Sequence, residues 1–200
     1  MLTILSFIAV AAAQPPAAKA TPITSLPSRE ATDEDPGADV EAPAAPEGVA
    51  KVRSLLGARH TQDLPSRQAL DTHGDAAAAL RWIAAYSDSL VEAERAAGLL
   101  ALYPNQTTEA FCTELLGGEA HPKIRAGAAR CMQTQSLVLD GALATLLAAA
   151  ASSDVRLSTA AVDSLVTTPT GLKAAGDLDR AKLTAEARAH LEAAMMPSPE

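Results

Sequence analysis

Aromatic side chains are almost missing from this chain: Phe7, Trp82, Tyr86, Tyr103 and Phe111 are all that 200 residues contain. A core without rings has to be built from aliphatic groups and from alanine, which enters a helix without losing side-chain entropy. The deficit therefore favours helices. Alanine buries little area, so one pair of helices is weak alone and needs neighbours. Positive charge is also short, with 16 Lys and Arg against 24 acids and a net charge of −8. Nothing forms a basic face for a phosphate backbone, which argues against nucleic-acid binding. His60, His73, His121 and His190 are scattered with no i, i+4 pair, so no metal site is expected. No Gly-x-Ser-x-Gly turn and no glycine-rich phosphate loop occur, and no histidine stands beside either cysteine. We therefore expect neither enzyme chemistry nor a cofactor. The N-terminal apolar run, Met1–Ala13, is shorter than the roughly 20 residues a membrane-spanning helix needs.

That run, MLTILSFIAVAAA, ends in Ala11-Ala12-Ala13, the small-residue pattern a signal peptidase accepts. We read 1–13 as a cleaved export signal, although it carries no Lys or Arg; the alternative is an uncleaved N-terminus. The expected location is periplasmic or secreted, with no stable membrane span after cleavage. Residues 14–50 are rich in Pro, Ala and acid: seven acids face only Lys19 and Arg29, a balance of −5 that leaves −3 for the rest. Such a segment buries too little to offset its ordering entropy and reads as a disordered linker, kept extended by proline and self-repulsion.

Residues 51–74 read as short flanking helices, and 75–168 as a run of capped helices. Asp75 is expected to cap one, Ser87 or Asp88 the next, Thr107 a third, and Ser152 or Ser153 a later one. Gly117-Gly118 is expected to close a helix in the left-handed conformation, and His121-Pro122 to open the following one. A last helix from Thr184 to Met196, within a capping region at 169–200, completes the chain.

The middle of the chain repeats. Leu115-Leu116 and Leu146-Leu147 lie 31 apart, as do Ile124-Arg125 and Val155-Arg156, and a weaker copy carries Ile83 and Arg95. On this alignment Ile124, Ala128 and Cys131 form one inward face, and Val155, Thr159, Val162 and Val166 the matching one. The segments HPKIRAGAARCM (121–132) and SSDVRLSTAAVDSL (152–165), each preceded by a leucine pair, resemble HEAT repeats of the short subtype known from bilin lyases. The resemblance covers about 80–166. It implies an all-α fold, a short right-handed α-solenoid of HEAT-like helical hairpins, that binds or scaffolds proteins and carries no catalytic residue.

Arg95, Arg125 and Arg156 recur at the period, and we read them as structural groups bridging successive hairpins to acids such as Asp163 or Glu114. The alternative is a row of guanidiniums on one binding surface. Cys112 and Cys131 fall on consecutive helices at similar heights. In an oxidising space they are expected to pair as a disulfide worth about 3 kcal/mol by loop entropy; the alternative is two buried thiols. Trp82 and Tyr86, i and i+4 on one helix, read as core or as an interaction patch. Asn105-Gln106-Thr107 matches the glycosylation pattern, a weak signal. The expected function is non-enzymatic protein binding or scaffolding in the cell envelope, partner unspecified. The alternatives are an accessory of a lyase- or chaperone-type enzyme, or a self-associating structural envelope protein.

Overall fold

The computed structural model describes residues 42–57, 63–137 and 140–196; the expected export signal, most of the linker and His60 lie outside them. Among the described residues the chain is all-helical, without strands. The helices are α1 (Val49–Leu56), α2 (Arg67–Asp71), α3 (Ala76–Tyr86), α4 (Leu90–Leu99), α5 (Gln106–Gly117), α6 (Pro122–Gln135), α7 (Asp140–Ala150), α8 (Val155–Val166), α9 (Pro169–Gly176) and α10 (Ala185–Met195). Short 3-10 turns follow at Leu100–Leu102 and Arg180–Lys182. No helix among the described residues is long and apolar enough to cross a membrane.

Caps set most helix starts. The side chains of Asp75, Ser89, Asn105, Asp154, Thr168 and Thr184 each accept a first-turn backbone N–H. Asp75 and Thr184 stand where expected. Ser89 replaces Ser87 or Asp88, Asn105 replaces Thr107, and Asp154 replaces Ser152 or Ser153. In each case several short polar residues compete, and the one whose oxygen reaches the amide three positions on starts the helix. Asn105 accepts from the Thr108 amide at 2.9 Å and also donates to the Tyr103 carbonyl at 3.1 Å. Gly118 ends α5 in extended backbone (φ −88°), not in the left-handed region; among the described residues positive φ occurs at Gly48 and Gly74.

Successive helices pair as α3/α4, α5/α6, α7/α8 and α9/α10. The second members touch in sequence, α4 on α6, α6 on α8 and α8 on α10. On the other side α5 meets α7 and α7 meets α9, while α1 packs on α3 and α4. The core is aliphatic, with Leu80, Ile83, Leu100, Met132, Leu146, Leu157, Leu165 and Leu191 fully buried. Helix α4 packs closely along α6. The contact depends on Gly127, where an added methyl would run into the Glu94 carbonyl oxygen and press on the Ala97 methyl.

Burial does not follow the 31-residue alignment. Ile124 is 3% exposed, but Val155, its expected counterpart, is 47% exposed. A shift of 33 restores the match: Ile124, Ala128, Ala129, Cys131 and Met132 answer to Leu157, Ala161, Val162, Ser164 and Leu165, all buried. In the first members of the pairs the shift is 34, so that Thr108, Cys112, Leu115 and Leu116 answer to Ala142, Leu146, Ala149 and Ala150. Two residues of slip turn a helix by about 200°, which carries Val155 from the inside to the outside. A slip of three is almost a whole turn, so the leucine pairs of α5 and α7 still look aligned.

Candidate functional site

The exposed side of α6, α8 and α10 forms a groove of about 580 Å³ lined by Arg130, Val155, Arg156, Thr159, Asp163 and His190, among others. The register that buries Leu157 is what exposes Val155 and Arg156 here. Asp163 Oδ1 lies 2.7 Å from His190 Nδ1, tying α8 to α10, and Arg130 Nη1 lies 2.9 Å from Glu94 Oε1, tying α6 to α4. Both pairs are well solvated on at least one side, so each contributes little to stability. The Thr159 hydroxyl is buried without a hydrogen-bond partner. Arg156 is exposed and has no partner among the described residues. A neighbouring groove of about 560 Å³, lined by Leu64, Val91, Glu94, Arg95, Gly98, Leu99 and Arg130, continues the surface onto α4. Arg130 belongs to both.

The three repeat arginines occupy different places. Arg125 lies away from the groove and donates from Nε and Nη2 to the Leu116 carbonyl at 3.2 and 2.9 Å, closing the last turn of α5. Arg95 donates to the Leu56 carbonyl at the end of α1 at 2.6 Å and also lines the groove. Arg156 makes no such bond. The position answering to Arg125 in α8 is Ser158, whose hydroxyl donates to the Ala150 carbonyl at 2.6 Å. These groups satisfy carbonyls that a helix end leaves unpaired. Among the described residues, Arg130 with Glu94 and His190 with Asp163 also link successive hairpins, and sequence reasoning overlooked both pairs. Asp163 and His190 are 27 apart, a separation that no local pattern reads.

No family model matches the sequence, no curated protein matches it, and no solved structure matches the fold.

Trp82 and Tyr86 are half-buried with ring centroids 5.6 Å apart. The Trp82 indole N–H donates to the Pro43 carbonyl at 3.0 Å, and the Arg53 guanidinium lies 5.7 Å from its ring centroid. The extended segment at Pro43 thus lies against this patch. Cys112 and Cys131 are brought together, fully buried, as free thiols. Burial, and then the hydrogen bond with Cys131, push the Cys112 thiol up from its ordinary value. Among the described residues no three His, Cys, Asp or Glu groups gather to hold a metal ion. Tyr103 is buried with its hydroxyl 2.7 Å from Asp71 Oδ1; burial first and this bond second raise its pKa above the usual range.

Proposed function

We propose that this chain is a non-enzymatic protein-binding or scaffolding module of the cell envelope, exported by residues 1–13 and carried on the acidic linker at 14–50. Its helical pairs are a short HEAT-like right-handed α-solenoid, and the partner lies along the concave face made by α4, α6, α8 and α10. One observation carries this reading. Val91 and Val155, each 47% exposed, stand on that face with Arg130 and Arg156 beside them, the latter paired with none of the described residues. An aliphatic group next to a guanidinium, on closely packed helices, suits a protein surface that presents apolar and acidic groups. The test is recovery of partners from envelope extract with wild type and with the double variant Val155→Asp, Arg156→Glu. Loss of the partner with unchanged helicity and melting supports the reading; equal recovery by both, or turnover of a substrate with no partner, overturns it. Intact mass of the protein from its native host tests the export step, which requires loss of residues 1–13.

A second reading, an accessory of a lyase- or chaperone-type enzyme, is favoured by the convergence of Arg130, Arg156, Asp163, Glu186 and His190 on one groove. It requires that His190→Ala abolish stimulation of the associated enzyme while leaving capture through Val155 intact.

A further inference from the structure

We propose that Cys112 and Cys131 form an intramolecular disulfide that fastens α5 to α6, made while the hairpin closes and shielded once the fold is complete. Both side chains are fully buried, on two helices, α5 and α6, that pack on each other, and Cys131 is near enough to Cys112 to help push its thiol up. The Gln135 side-chain amide, one turn along α6, approaches Cys131 Sγ at 4.0 Å, and its Oε1 is buried without a partner.

The fold does not need sulfur at either place. In the following pair the same positions hold Leu146 and Ser164, the second donating to the Ala160 carbonyl at 2.8 Å. In the preceding pair, matched by burial, they hold Leu80 and Leu100, the latter in the 3-10 turn that follows α4. Leucine and serine meet the packing requirement in the neighbours. Two buried cysteines at both of these places in one hairpin make a dithiol site.

The chemistry requires an oxidant, and a small-molecule disulfide such as oxidised glutathione suffices. One cysteine thiolate attacks the reagent's S–S bond, forming a mixed disulfide and releasing a reagent thiolate, which takes up a proton. The second cysteine thiolate then attacks the protein-bound sulfur of that mixed disulfide and expels the second reagent thiolate. The cysteine pair loses two electrons and two protons; the reagent becomes two thiols. Thiolate is the reactive form, and the folded environment disfavours it, so exchange proceeds from the open hairpin and is slow from the closed one. A bond formed during folding is for the same reason protected from later reduction. The site is a lock and not a responsive switch.

The test uses the full chain, unfolded and reduced, then refolded in a glutathione redox buffer and alkylated under denaturing conditions. The expected product has neither cysteine alkylated, a mass lower by two hydrogens, one linked peptide pair holding residues 112 and 131, and a melting temperature about 6–12 °C above the reduced form. Cys112→Ser and Cys131→Ser should each leave the remaining cysteine alkylated or bound to glutathione. A wild-type protein that regains its helical spectrum with both cysteines alkylated overturns the proposal. So does equal melting of oxidised and reduced forms. These outcomes are independent of whether a protein partner is ever found.

Discussion

The pairs α5/α6 and α7/α8 solve one problem with different residues. In each, the first helix ends with a carbonyl that has no partner in its own helix, and the second helix supplies a donor from its first turn. In α5/α6 the donor is Arg125, reaching the Leu116 carbonyl; in α7/α8 it is Ser158, reaching the Ala150 carbonyl at 2.6 Å. A long charged group and a short hydroxyl therefore stand at equivalent positions, while the residue that copies Arg125 by type, Arg156, lies in solvent. Equivalence in this fold belongs to burial and to the unmet carbonyl, not to residue identity.

The largest effect should come from the α4–α6 contact, where the two pairs differ most. Gly127→Ala forces a methyl against the Glu94 carbonyl and should cost about 3 kcal/mol, whereas Ala160→Gly at the matching place in α8 should cost about 1 kcal/mol. Chemical denaturation of both variants checks the order. Next come the carbonyl donors. Arg125→Ala should cost about 2 kcal/mol and Ser158→Ala about 1–2 kcal/mol, because each leaves a terminal carbonyl unpaired. By contrast Arg156→Ala should change stability by less than about 0.5 kcal/mol. If all three arginine and serine variants lose equally, the distinction drawn between the pairs is wrong.

The smallest effect concerns pH. Tyr103 has a raised pKa, from burial and then from its bond to Asp71, so the folded state favours the neutral phenol. Its contribution is fully present below the unfolded tyrosine value of about 10 and is lost as pH rises from there toward the higher folded value. Melting temperatures followed from pH 8 to 11 should fall at the alkaline end, and Tyr103→Phe should flatten that fall.

Much of the fold was legible in the sequence because capping and periodicity are local. Asp75, Pro122 and Thr184 start helices as read, and the all-helical character follows from alanine and the scarcity of rings. The register was not legible. Val155-Arg156 copies Ile124-Arg125 in identity, and one-dimensional similarity cannot see that buried positions recur two or three residues further on than the leucine and arginine pairs. The groove was hidden for a related reason. Its partners, Glu94 with Arg130 and Asp163 with His190, are 36 and 27 positions apart and meet only when successive helices pack side by side. Trp82 illustrates the opposite case: its pairing with Tyr86 was readable at i, i+4, but its bond to Pro43 was not.

The most direct measurement compares Val155→Asp with Leu157→Asp by thermal melting of the full chain. With Leu157 fully buried and Val155 47% exposed, the first variant should melt within about 2 °C of wild type and the second should fail to fold cooperatively. The reverse outcome, a tolerated Leu157→Asp and a ruinous Val155→Asp, would restore the 31-residue alignment and contradict the arrangement of helices described above.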